Sequence, residues 1–297
     1  MDVYGGSQEK MIEAKAFLKK NLEKEAEIYF GIKDPDWIDQ VTNNWFDDEN
    51  NYDGRWNVIK ERASVKNKVL DLAAGCGTFV LYGLLNGYDV WGVEPEEWKR
   101  EYFRKKVLAS NYPAAFQNHI VCGIGESLPF TSESFDLVTT YQTLEHVRDV
   151  KMCIREMLRV LKPGGILYIK SPDYNWSFFE PHYRTFFLPK MNKKLSTAYL
   201  KFLGRPLLGL QTLNWITEKE VVKIVATSAY AVDIEQIATY RSAMRQRKIQ
   251  DLLPETIRNS YIATFLNFIY ELGRKINKLR WIGRKENNID LWVKKVA

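Results

Sequence analysis

Sulfur and imidazole are scarce in this chain, with three cysteines and three histidines among 297 residues. Cys76, Cys122 and Cys153 are odd in number and show no metal-type spacing, which argues against a disulfide framework and fits a reducing cytoplasm. No apolar run follows Met1, so neither a signal peptide nor a transit peptide is expected. The nearly uncharged run from Tyr261 to Leu272 is too short to cross a bilayer, which takes about 20 residues. Any imidazole chemistry must fall to His119, His146 or His182. What the chain has in quantity is apolar surface, 45% hydrophobic and 13% aromatic, ample for a sizeable core.

Charge is present in excess of one sign and unevenly spread. The net +6 conceals a block at 241–285 with eleven Lys and Arg against only Asp251, Glu255 and Glu271. Such a block implies an anionic partner or a solvated helix face. Trp281 and Ile282 interleave with its basic residues, and the aromatic run 261–272 precedes them. That pattern suits peripheral contact with anionic lipid at the inner face of a membrane; packing within the chain or in a homodimer is the other reading. Nucleic acid is not expected, because the block matches no nucleic-acid module.

The chain is organised around Val69-Leu70-Asp71-Leu72-Ala73-Ala74-Gly75-Cys76-Gly77-Thr78-Phe79, a buried strand running into a glycine-rich turn that opens a helix over 78–85. A second strand, 88–93, ends in Glu94, 23 residues after Asp71. An acid about 20 residues beyond such a turn is placed to accept hydrogen bonds from ribose hydroxyls. Further strands are expected at 119–122, 135–141, 166–170, 232–238 and 290–295. Helices are expected at 7–30, 96–110, 150–161 and 217–228, the last opened by the capping box Thr217-Glu218-Lys219-Glu220. The segment Lys162-Pro163-Gly164-Gly165 reads as a helix stop.

The order of signals, from the glycine-rich turn and Glu94 through Gly123-Ile124-Gly125-Glu126-Ser127-Leu128-Pro129-Phe130, Phe135-Asp136-Leu137-Val138, Leu144-Glu145-His146-Val147 and Leu161-Lys162-Pro163-Gly164-Gly165, resembles the class I S-adenosylmethionine-dependent methyltransferases. The resemblance is close over 65–172. It implies an α/β, Rossmann-like doubly wound sheet of seven strands, mostly parallel with an antiparallel last strand, carrying helical insertions. It also implies S-adenosylmethionine as cofactor, held by Asp71, Ala73, Gly75, Gly77, Glu94, Gly125, Glu126 and Gln142. Two positions depart from the family pattern. Ala73 stands where the first glycine of the turn is usual, and an alanine there needs φ below zero. Ile124 stands where an aspartate usually contacts adenine, which shifts that contact to Gly125 and Glu126.

Residues 1–64 form an N-terminal helical cap on this reading. The methyltransferase domain takes 65–297, with a lid insertion at 174–214 and a basic amphipathic insertion at 241–288. Arg55 reads as a surface arginine that could otherwise reach the cofactor's carboxylate. A hydroxyl acceptor benefits from a base as its new bond forms. His182, oriented by Glu180 or Asp173, is the candidate, with His146 beside the pocket; His182, His146 and Asp173 are thus the expected catalytic residues. Glu145 and His146 are metal-ligand types, but two adjacent ligands do not make a metal site and none is assigned. The implied activity is O-methylation of a small or lipid-linked sugar or quinone-type acceptor. The alternatives are N-methylation, or an inactive binding module with the same fold, for which Ala73 and Ile124 leave room.

Overall fold

The computed structural model describes residues 3–47, 54–175, 179–187, 190–236, 261, 264, 265, 268 and 288–296. A seven-stranded sheet runs through it. Its strands in chain order are β1 (Lys68–Leu72), β2 (Asp89–Val93), β3 (Ile120–Val121), β4 (Phe135–Tyr141), β5 (Leu161–Pro172), β8 (Val232–Gln236) and β9 (Asn288–Lys295). A separate two-stranded ribbon is made by β6 (Phe179–Glu180) and β7 (Thr185–Phe186).

The sheet order is β3-β2-β1-β4-β5-β9-β8. The first five strands pair in parallel, while β9 is antiparallel to both β5 and β8. This is the doubly wound, mostly parallel architecture expected from the sequence, with the antiparallel strand late in the chain but inside the sheet. Brief corrections concern edges. The third strand is only Ile120–Val121, preceded by a 3₁₀ turn over Ala114–His119. The fifth begins at Leu161, so the Lys162-Pro163-Gly164-Gly165 segment belongs to a strand rather than to a helix end, with Gly164 alone in the left-handed region at φ 76°.

Both faces of the sheet are covered, which is why its central strands send apolar side chains to both sides, Val69 and Leu70 in β1 and Leu137 and Val138 in β4. On one face Leu70, Leu72, Val138, Leu167, Ile169, Leu291 and Val293 pack with helices α6 (Val150–Val160) and α9 (Glu218–Ala226). On the other, Val69, Leu137, Tyr168 and Trp292 pack with α3 (Arg55–Lys60) and α4 (Thr78–Leu85). Trp56 is the anchor there, 1% exposed and stacked on Phe79 at 4.4 Å, with its Nε1–H donated to the Phe79 carbonyl.

The helix starts obey local capping. Asp149 accepts from the Met152 N–H, and Thr217 accepts from the Glu220 N–H. Helix α2 (Pro35–Phe46) combines an Asp34 cap with proline in its first turn. Helix α1 (Val3–Glu25) continues into a π-helical turn, Ala26–Phe30, ended by Gly31 at φ 65°. Leu18 and Leu22 of α1 pack on Cys76 and on Tyr102 of α5 (Glu97–Ala109), which lays α1 beside the glycine-rich turn.

No described helix is long and apolar enough to cross a membrane. The expected basic insertion falls outside the described residues, apart from the helical and exposed Tyr261, Thr264, Phe265 and Phe268 and from Asn288, which opens β9.

Candidate active site

A cavity of about 670 Å³ opens at the C-terminal ends of β1, β2 and β4, where a parallel sheet presents its crevice. Its floor is the glycine-rich turn. The Gly75 N–H donates to Glu94 Oε2 at 2.8 Å and the Glu96 N–H to Oε1 at 3.0 Å, so both oxygens of a buried carboxylate are fixed by main chain. Burial pushes the Glu94 carboxyl above its usual value, with Lys99 opposing. Lys99 is itself held by Glu25 at the end of α1, 3.3 Å away. The π turn supplies Ile28, Tyr29 and Phe30 to the opposite wall.

Two residues at the cavity are held in the left-handed region although neither is glycine: Ala73 at φ 59° and Gln142 at φ 52°. The expectation that Ala73 needs φ below zero is therefore corrected. The turn keeps the geometry of a glycine corner and imposes it on alanine, because the Ala74 N–H is tied to the Val93 carbonyl and the Gly77 N–H to the Ala74 carbonyl. Strain of this kind amounts to about 1 kcal/mol or more and persists only where the surroundings fix the backbone.

Arg55 is also corrected. It is 7% exposed rather than a surface residue, and its Nη2 lies 2.5 Å from Asp71 Oδ1 while its guanidinium stacks over Phe79 at 4.1 Å. Asp71 does not line the cavity as expected; it bonds Arg55, which does. Burial raises its carboxyl, against the pull of the guanidinium. Arg55 Nε is buried and without a partner.

Of the other expected cofactor residues, Ala73, Gly75, Glu94 and Gln142 line the cavity. Gly77, Gly125 and Glu126 do not. Gly77 turns at φ 81° with the Phe103 ring 2.3 Å from where a Cβ would stand. Gly125 lies against Cys153 in the same tight manner, and Glu126 Oε1 accepts the N–H groups of Arg148 and Asp149.

His146 and His182 both line the cavity, which brings together two residues 36 apart in sequence. Their Nε2 atoms are 2.9 Å apart. His182 Nδ1 donates to Glu180 Oε1 at 2.7 Å, and Glu180 is fully buried, also receiving the Tyr183 N–H and the Tyr174 hydroxyl. Burial and the facing His182 push His146 down to about 3. Burial lowers His182 too, but Glu180 and Glu145 outweigh it and hold that ring above its ordinary value. Asp173 is elsewhere: it accepts the Asn175 N–H and does not reach the cavity, so Glu180 is the residue that orients His182. His119 bonds the Val90 carbonyl, far from this site.

The central part of the chain is similar to known proteins. Residues 70–169 match the family described as "Methyltransferase domain". The ubiquinone biosynthesis O-methyltransferase of Pseudomonas putida (strain GB-1) is 30% identical over 146 residues, covering 46% of this chain and 62% of that protein. A ubiquinone/menaquinone biosynthesis C-methyltransferase of Geotalea daltonii is 30% identical over 141 residues, covering 45% and 58%. The chain thus spans less than two thirds of the curated relatives it matches. In fold it is similar to the YcgJ protein from Bacillus subtilis, with TM-score 0.50, 17% identity, and 82% and 97% of the two chains covered. Residues 70–169 are thus similar to a methyltransferase domain, and they lie in a Rossmann-like sheet.

Proposed function

We propose that the protein transfers a methyl group from S-adenosylmethionine to a hydroxyl oxygen of a small or lipid-linked acceptor, of quinone or sugar type. The observation that carries this is one cavity with two differently equipped ends: Glu94 tied to the bare Gly75 backbone at one, and the Glu180–His182–His146 chain at the other. The cofactor supplies an electrophilic methyl on a sulfonium. The site's residues suit it. Nothing stands within 4 Å of where a Gly75 Cβ would be, so that corner leaves room for a ligand, and the unpartnered Arg55 Nε is a buried donor for the amino-acid carboxylate. Glu94 would take the ribose hydroxyls.

The acceptor end lies between the π turn and the lid. Phe30 stands 5.6 Å from the His182 ring, and Tyr29 joins the same wall. These side chains exclude water and fix the acceptor's approach, which supplies much of the acceleration in a transfer that needs in-line geometry. A hydroxyl acceptor must also lose a proton, and His182, with Nδ1 held by a buried carboxylate, is the group placed to handle it. An amine acceptor would have less use for that arrangement, which is why O-methylation is preferred over N-methylation. An intact Glu94 and a histidine pair at the same cavity favour turnover over a binding module.

Calorimetric titration with S-adenosylmethionine and S-adenosylhomocysteine tests the cofactor half, and donor consumption with hydroxylated aromatic and sugar acceptors tests the reaction. Glu94→Ala is expected to weaken cofactor binding at least tenfold. Wild-type affinity in that variant would remove the ribose assignment.

A further inference from the structure

Glu145, His146 and His182 each place one ligand atom within 4.8 Å of the others, and among the described residues no other such group converges. Glu145 is fully buried. Its Oε2 accepts the Ser171 hydroxyl at 3.1 Å, while Oε1 has no hydrogen-bond partner at all. A buried carboxylate oxygen left unpaired is costly, by about 1–3 kcal/mol or more, unless something at the site satisfies it.

The two imidazoles meet through equivalent atoms, Nε2 to Nε2 at 2.9 Å, with ring planes 86° apart. Two nitrogens each about 2.05 Å from a common ion are separated by about 2.9 Å at a right angle. The spacing is that of adjacent ligands. Glu180 behind His182 Nδ1 completes the picture, because a carboxylate on the remote nitrogen fixes the tautomer that leaves Nε2 free to ligate.

We propose that Glu145, His146 and His182 bind a divalent transition cation at the acceptor end of the cavity. Two imidazoles and one carboxylate suit zinc, manganese, cobalt or nickel better than calcium or magnesium, which prefer oxygen sets. Three protein ligands leave coordination positions open toward the cavity. An acceptor hydroxyl occupying one becomes more acidic, so its O–H bond breaks with the proton passing to water and the oxygen keeping the electron pair. On this proposal His182 is a ligand of the ion, and the acceptor's proton goes to water rather than to its ring. This catalytic role rests on the methyl-transfer reading, whereas the site itself does not.

The test uses the full chain, freed of any affinity tag and dialysed against chelator, then titrated with Co²⁺ and followed by its visible absorption. The expected result is a band saturating at one Co²⁺ per chain, displaced by Zn²⁺. The midpoint should weaken at least tenfold in Glu145→Gln and in His182→Ala and stay unchanged in His119→Ala. Thermal melting confirms that each variant is folded; should His182→Ala not fold, Glu145→Gln carries the comparison. No band, or a band unaltered in Glu145→Gln, overturns the site. S-adenosylhomocysteine binding is measured in parallel. Its absence alongside a normal Co²⁺ band would count against the methyltransferase reading and leave the cation site standing, and the reverse result would do the opposite.

Discussion

Single residues carry most of the chemistry, and several are held in conformations their side chains do not favour. Ala73 is the clearest. It sits at φ 59° beside the cavity, and a glycine there would adopt the same backbone without the Cβ penalty. Ala73→Gly is therefore expected to raise stability by up to about 1 kcal/mol, read by urea denaturation, with cofactor affinity unchanged or improved. A loss of stability would mean that the alanine methyl makes packing contacts worth more than the strain. The acid at the end of β2 was legible from its distance to Asp71, since strand, turn and helix lengths in such a unit vary little. Arg55 was not legible. It stands in a stretch mixing tryptophans with charges, and only the folded chain reveals that Asp71 and the faces of Phe79 and Tyr141 enclose it.

The central strands announced themselves because β1 and β4 are buried on both faces and so carry adjacent apolar residues, Val69-Leu70 and Leu137-Val138. What the sequence concealed was which distant elements meet. The ribbon β6–β7 brings His182 onto His146, and nothing in local spacing signals that return. Nor does periodicity distinguish the π turn from ordinary helix, although that widened turn presents Ile28, Tyr29 and Phe30 to the cavity. Gly125 and Glu126 were expected at the adenine, yet the glutamate is engaged in closing the loop before α6. Helix α1 lends Asn21, Lys24 and Glu25 to the cavity that Gly75 and Glu94 also line, and so roofs it. Leu18, fully buried, docks the helix against Cys76 and Tyr102. Leu18→Ala is expected to lower stability by about 2–4 kcal/mol. It should also weaken cofactor binding by loosening that roof, measured by denaturation and calorimetry on the same sample. Full affinity at reduced stability would show that the roof is dispensable for binding.

For the molecule as a whole, charge is the property that reaches furthest. The excess of basic residues at 241–285 is larger than that of the entire chain, and Tyr261, Phe265 and Phe268 just within it are 94%, 62% and 63% exposed. The protein is expected to cosediment with vesicles containing anionic phospholipid at low salt and to be released as salt is raised, because the attraction is screened beyond about 10 Å at 0.1 M. Equal recovery from neutral and anionic vesicles at low salt would leave the block as a solvated surface.

One topological feature bears on how this protein is made. Strand β9, residues 288–295, lies inside the sheet between β5 and β8, so two ladders must wait for a segment more than a hundred residues downstream of β5. During synthesis the nascent chain would expose the open edge of β5 and its unpaired amides until residues 288–295 clear the ribosome. Late closure of this kind slows folding and lengthens the interval in which the chain invites aggregation or chaperone capture.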